Sequence, residues 1–88
     1  MTVVNIPAAM REVTGGARTV EVAGETVWDL IDAVDRRFPG LRDRLVEDGE
    51  LRPGIAAFLD GEEPGRKLGA KVGGAREVFF LLAIGGGA

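Results

Sequence analysis

The side chains that could do chemistry in this chain are few, and the missing types narrow the choice of function. The 88-residue sequence contains no Cys, His, Ser or Tyr. It therefore lacks the usual nucleophiles, the base that titrates near neutral pH and the preferred zinc ligands. The carboxyl pairs Glu47-Asp48 and Glu62-Glu63 lie in polar, turn-like segments, where we expect them to be solvated. We predict no catalytic residue and no metal site, and a chain that is a substrate or carrier rather than an enzyme.

A second chemical feature is the glycine run at the end of the sequence. The apolar residues 78–84 are followed by Gly85, Gly86, Gly87 and Ala88. Glycine loses the most conformational entropy on folding and buries no side chain, so stability alone does not favour such a run. Fully extended, the four residues from Ile84 to Gly87 span roughly 13 Å and could enter a narrow channel. We predict a folded domain over residues 1–84 and a flexible glycine-rich tail over residues 85–88.

Composition excludes several classes of partner. With 45% hydrophobic and 28% charged residues, the chain has the composition of one globular domain. The net charge of −3 argues against nucleic-acid binding, which requires a basic surface. No apolar run approaches the ~20 residues that cross a bilayer, so we expect no membrane association. The absence of Cys and of a signal-like N-terminus leads us to expect a cytoplasmic protein.

Periodicity predicts an α+β order of elements. Residues 2–6 and 18–22 are predicted to form a hairpin, with a turn at Thr14-Gly15-Gly16. A helix is predicted from the N-cap Thr26 to the stop signal Pro39-Gly40. A short helical turn at 41–45, a polar loop around 48–54 and a strand at 55–59 follow. We also expect a turn at Asp60-Gly61, a short strand near 66–68, a glycine-rich turn at 72–75 and a final strand from Val78.

The final strand is apolar on both of its alternating sets. Val78, Phe80, Leu82 and Ile84 form one set, and Phe79, Leu81 and Ala83 form the other. Such a strand is either covered on both sides or presents one apolar face to a partner. With only one clear helix to cover the sheet, we predict a partner-facing patch. The residues predicted to dock the partner are Phe79, Phe80, Leu81, Leu82 and Ile84.

These features together resemble the MoaD/ThiS family of ubiquitin-like β-grasp sulfur carriers, and the carrier used in cysteine synthesis in particular. The matching motifs are Ile6-Pro7, Met10-Arg11, Thr14-Gly15-Gly16, Gly24-Glu25-Thr26, Gly40-Leu41 with Arg44-Leu45, Asp60-Gly61-Glu62 and the terminal glycines. The resemblance covers essentially the whole chain. It implies a ubiquitin-like β-grasp fold, with a mixed four- to five-stranded sheet and one main helix.

The resemblance also implies a mechanism. In this family an ATP-dependent activating enzyme adenylates the C-terminal glycine, and sulfur displaces the adenylate to give a thiocarboxylate for a sulfur-accepting synthase. No cofactor is bound, because the partner enzyme uses the ATP. By this analogy Gly87 is the activated residue, Gly85 and Gly86 thread into the enzyme, and a peptidase first removes Ala88. Two alternatives are that Gly85-Gly86 is the mature end and that Ala88 is used directly.

Three other functions remain open from the sequence. The chain could be the small subunit of molybdopterin synthase, which is a more specific role for the same tail. It could be a ubiquitin-like modifier, which forms isopeptide bonds with lysines of other proteins. It could also be an interaction domain whose tail is inert.

Overall fold

The structure is a computed structural model that describes residues 1–60, 71–73 and 76–82. Its described elements, in chain order, are β1 (Thr2–Asn5), a turn of 3₁₀ helix (Ala8–Met10), β2 (Thr19–Val22), α1 (Val27–Arg37), α2 (Leu41–Leu45), β3 (Val46–Glu47), β4 (Glu50–Leu51), β5 (Ile55–Leu59) and β6 (Glu77–Leu82). The predicted α+β order is thus observed, with α1 as the main helix. Among the described residues, no helix has the length and apolarity needed to span a bilayer.

The main sheet is mixed and has four strands in the order β2-β1-β6-β5. Strand β1 pairs antiparallel with β2 and parallel with β6, while β5 pairs antiparallel with β6. The two chain-terminal strands, β1 and β6, therefore lie side by side in the middle of the sheet. This arrangement makes β6 depend on both neighbours for its position, which matters because β6 leads directly toward the glycine tail.

Helix α1 covers one face of this sheet. Its residues Val27, Leu30, Ile31 and Val34 are buried at the helical spacing that the sequence predicts. They join one apolar core with alternate residues of the strands and with Leu41 and Leu45 of α2. The opposite face of the sheet carries the other alternating set of strand residues. In the part of the chain that the structure describes, one face of the sheet is therefore covered and the other is open.

A complete capping box fixes the start of α1. The backbone N–H of Asp29 donates to Thr26 Oγ1 at 3.1 Å, and the N–H of Thr26 donates to Asp29 Oδ2 at 3.2 Å. Gly24 allows the chain to pass close to this turn, since a Cβ atom there would lie 2.8 Å from Asp29 Cβ. The entry into the helix thus depends on both a cap and a missing side chain.

The capping box makes stability sensitive to acid. The backbone N–H of Glu25 also donates to Asp29 Oδ2, and this bond, with those from Thr26, lowers the pKa of Asp29 below its ordinary value. A lowered folded-state pKa stabilises the fold above the unfolded-state pKa, and that contribution is lost as pH falls through the folded-state pKa.

We therefore predict that Asp29→Asn removes part of the loss of unfolding free energy that wild type shows below about pH 4. Urea denaturation of wild type and Asp29→Asn, at neutral pH and at a series of pH values below about 4, measures the difference in their loss of unfolding free energy. Glu50→Gln, which removes one exposed carboxyl from β4, controls for the change in net charge. Equal acid sensitivity in wild type and Asp29→Asn would contradict the assignment.

One predicted loop is wrong in part. Glu50 and Leu51 of the predicted polar loop form β4, which makes a small hairpin with β3 just before the loop: Val46 pairs with Leu51, and Glu47 pairs with Glu50. Asp48 and Gly49 both have positive φ, at 53° and 78°, and this favours a tight two-residue hairpin turn. Leu51 is buried in the core and anchors the second strand. The strand predicted near 66–68 lies outside the described residues.

Candidate functional site

The two faces of β6 differ sharply in exposure. Val78 and Phe80 are buried in the core, at 0% and 8% relative exposure. Phe79 and Leu81 point the other way and are 45% and 61% exposed. Because successive side chains of a strand alternate between faces, only one apolar set can reach the core under α1. Among the described strand residues, Phe79 and Leu81 are the large apolar side chains that remain exposed.

Strand β5 extends this exposed surface. The register pairs Ala56 with Leu81 and Phe58 with Phe79, so all four side chains share the open face. Ala56 and Phe58 are half-buried. We name these four residues the apolar patch. Ala56 and Phe58 were not predicted to belong to the site, although the alternation of side chains along residues 55–59 places them on this face once β5 is known to pair with β6.

Polar residues bound the apolar patch toward β1 and β2. Asn5 lies beside Phe79 in the parallel register, and its Nδ2 donates to the carbonyl of Val78 at 3.1 Å. Thr19 and Glu21 are exposed on β2, the next strand outward. Among the described residues, the open face therefore has a mainly polar half on β1 and β2, which also includes Val3, and an apolar half formed by the apolar patch on β5 and β6.

The predicted docking and tail residues divide into three groups. Phe79 and Leu81 are exposed, as a docking role requires. Phe80 lies in the core and Leu82 is half-buried against it, because both belong to the face that α1 covers, so the proposed docking set loses these two residues. Ile84, the tail residues Gly85, Gly86 and Gly87, and Ala88 lie outside the described residues.

Several of the remaining charged groups of the described residues make structural contacts. Ion pairs join Arg42 to Asp32 at 2.6 Å and Arg52 to Glu47 at 2.7 Å, and all four side chains are partly exposed. In residues 1–60, 71–73 and 76–82, no group of three or more His, Cys, Asp or Glu residues could hold a metal ion. The open sheet face is therefore the feature of the described chain that offers a contact surface.

Comparison with known proteins identifies the family. No family model matches the chain. The Mycobacterium tuberculosis protein named sulfur carrier protein CysO is 26% identical over 89 residues, covering 96% of each chain. A chain of the crystal structure of the Amycolatopsis orientalis BexX/CysO complex is 33% identical, with a TM-score of 0.88 over 96% of this chain and 97% of that one. The chain belongs to the ubiquitin-like sulfur carriers.

Two further solved structures support the same fold. SAMP1 from Haloferax volcanii is 31% identical, with a TM-score of 0.72 and 96% of each chain covered. The crystal structure of M. tuberculosis CysO has a TM-score of 0.86 at 24% identity, and this likeness concerns the fold alone. The ubiquitin-like β-grasp fold predicted from the sequence is confirmed. The sulfur carrier function predicted from the sequence is likewise confirmed.

Proposed function

We propose that this sulfur carrier delivers sulfur for cysteine biosynthesis as a thiocarboxylate formed on Gly87. The observation that supports this role most directly is the similarity to CysO over nearly the whole chain. The apolar patch adds a physical reason, since its two exposed residues, Phe79 and Leu81, lie on the strand that leads toward the glycines at 85–87.

The chemistry requires activation because a free carboxylate is a poor electrophile. A carboxylate oxygen of Gly87 attacks the α-phosphorus of ATP, and pyrophosphate leaves. A sulfur nucleophile then attacks the acyl carbon of the adenylate, and AMP leaves with the bonding electron pair. The product is an acyl-sulfur terminus from which a synthase takes the sulfur. This chain contributes the carboxylate, and the activating enzyme contributes the ATP site.

Two parts of the carrier have separate roles: the apolar patch docks on the activating enzyme, and the glycine tail enters its ATP site. Phe79 and Leu81 are exposed apolar side chains of the kind that form the centre of protein interfaces. Burying them against the activating enzyme supplies affinity, while Gly85, Gly86 and Gly87 enter the ATP site without side chains. Ala88 follows Gly87 in the sequence, and we propose that a cytoplasmic peptidase removes it before activation.

We predict that activation requires a chain ending at Gly87. Three proteins are compared: the full chain, a chain ending at Gly87 and a chain ending at Gly85. Each is incubated with ATP, a sulfur source and the activating enzyme of the native host, and its intact mass is measured. We expect the Gly87 chain alone to gain the mass of one sulfur in place of one oxygen, because the full chain is blocked and the shorter chain lacks reach.

The same experiment separates the alternatives. Sulfur gain by the full chain with Ala88 attached would show that trimming is unnecessary, and gain by the chain ending at Gly85 would move the reactive residue to that position. If none of the three proteins changes mass while an established carrier does so with its own enzyme, the thiocarboxylate mechanism is wrong. Circular dichroism of each protein controls for the fold.

A second candidate function is protein modification. The H. volcanii protein named small archaeal modifier protein 1 is 32% identical to this chain, with a TM-score of 0.69 over 90% of the chain and 92% of that protein. A modifier would appear in native cells as adducts in which Gly87 is joined to lysines of other proteins. Mass spectrometry of tryptic digests detects such branched peptides, and a carrier without modifier activity gives none.

A further inference from the structure

The sequence of β6 leaves its register poorly specified by hydrophobicity. Residues 78–82 are all apolar, so either alternating set could be buried. Sliding β6 by one residue, so that Val78 takes the place of Glu77, would bury Phe79 and Leu81 without burying a charge. In ordinary half-buried strands the same slip forces polar side chains into the core. In β6, only side-chain size opposes the slip, because the larger Phe79 would have to fit where Val78 is now fully buried.

Asp60 makes several hydrogen bonds at the start of the β5–β6 ladder. The register pairs Leu59 with Val78, so Asp60 and Glu77 are next in line. The N–H of Asp60 donates to the carbonyl of Glu77 at 3.1 Å, as the ladder requires. Asp60 has a φ of 49°, which turns the chain out of the strand. The return bond from the N–H of Glu77 goes to Asp60 Oδ1, at 3.0 Å. The carboxylate thus takes the place of the backbone carbonyl.

The same carboxylate also binds the residue before β6. The N–H of Arg76 donates to Asp60 Oδ1 at 3.0 Å and to Oδ2 at 3.1 Å. On the other side, the carbonyl of Arg76 accepts from the N–H of Val3 at 2.8 Å. Hydrogen bonds to an ionised acceptor are stronger than those between neutral groups. The two residues at which β6 enters the sheet are therefore held by the carboxylate from β5 and by β1.

We propose that Asp60 is a positioning residue that sets the register of β6 and thereby the reach of the reactive tail. A one-residue slip would exchange the exposed pair, Phe79 and Leu81, for Phe80 and Leu82. It would also draw the tail back by about 3.3 Å, the rise of one strand residue. The functional consequence rests on the proposed function, since reach matters only if the tail is activated. The register itself can be measured without a partner.

The chain provides a matched control for the test. Asp48, like Asp60, precedes a glycine and has positive φ, at 53°. Within the described residues, no hydrogen bond or ion pair involves the Asp48 side chain. Glycine accepts positive φ without strain, so Asp60→Gly and Asp48→Gly each remove a carboxylate at the same backbone cost. Asp60→Asn keeps one acceptor oxygen and should therefore retain much of the wild-type hydrogen bonding to Arg76 and Glu77.

Amide hydrogen exchange is the first readout. We expect the amides of Arg76 and Glu77 to exchange at least about tenfold faster in Asp60→Gly, while amides of α1 keep their wild-type rates. Cross-strand nuclear Overhauser contacts then report register, because Leu59 should lose its contact with Val78 in part of the Asp60→Gly population. Asp48→Gly should match wild type in both measurements.

Kinetics of tail activation is the second readout. We expect Asp60→Gly to raise KM for the activating enzyme severalfold, and Asp60→Asn to lie nearer to wild type. Wild-type protein that is never activated would refute the proposed function and leave the register result standing. If wild type is activated and Asp60→Gly keeps the register and KM of Asp48→Gly, the positioning role is refuted. Uniformly faster exchange throughout the sheet with an intact register would refute it equally, since Asp60 would then act on global stability.

Discussion

Replacing Phe79 and Leu81 together by threonine is expected to lower kcat/KM for ATP-dependent activation of the tail by about 100-fold, with little change in melting temperature. Both side chains are exposed on the open sheet face, so the free protein loses little buried apolar area. Threonine is also a good strand former, which keeps the backbone of β6 in place. Steady-state pyrophosphate release, measured against carrier concentration, gives kcat and KM separately.

The loss should fall mainly on KM. In the proposed complex Phe79 and Leu81 contact the activating enzyme through their side chains, and the substitutions leave the reacting carboxylate and the glycines unchanged. An interaction that contributes equally to substrate and transition-state binding alters KM with kcat unchanged. A matched control replaces Thr19 and Glu21 by alanine, since both are exposed on β2 in the polar half of the same face. Activation of the Phe79/Leu81 variant at the wild-type rate would exclude this patch as the docking surface.

The sequence alone predicted the elements of this fold well where local signals were strong. The helical spacing of Val27, Leu30, Ile31 and Val34 and the cap at Thr26 located α1. The run from Val78 located the last strand to within one residue of its observed start at Glu77. In these segments short-range sterics and amphipathic periodicity agree with the tertiary structure, so no long-range information was needed.

Other features depend on pairing between distant segments. The parallel pairing of β1 with β6 joins residues more than seventy positions apart, such as Val4 and Val78. The local sequence of neither strand predicts this pairing. The contribution of Phe58 to the open face follows from its pairing with Phe79. The β3–β4 hairpin required two residues with positive φ at Asp48 and Gly49, a signal that Asp-Gly carries but that the surrounding polar residues obscured.

The face of β6 that would be buried could not be read from its sequence. Val78, Phe79, Phe80, Leu81 and Leu82 are all apolar, so alternation gives two equivalent solutions. Register with β5 and the capping contacts of Asp60 select one of them. That selection is the reason why Phe80, a docking residue by sequence, lies instead in the core.

The contrast between neighbouring phenylalanines gives the second large prediction. Phe80→Ala is expected to lower the free energy of unfolding by about 3–5 kcal/mol, the usual cost of deleting a buried aromatic ring. Phe80 is 8% exposed and lies opposite Ala57, whose small side chain cannot fill the space left behind. Phe79→Ala, one position earlier and 45% exposed, should cost less than about 1 kcal/mol.

Urea denaturation of both variants measures the difference in their free energies of unfolding. The kinetics of activation then show whether Phe80 has a core role or a docking role. A core role for Phe80 predicts that, under conditions where Phe80→Ala is still folded, its kcat/KM remains close to wild type. A docking role predicts the reverse, with unchanged stability and a raised KM. Because the two phenylalanines are adjacent and chemically identical, composition and local propensity cannot account for opposite results. Only the register of β6 in the sheet can, so this pair of substitutions tests the central structural assignment and the site built on it.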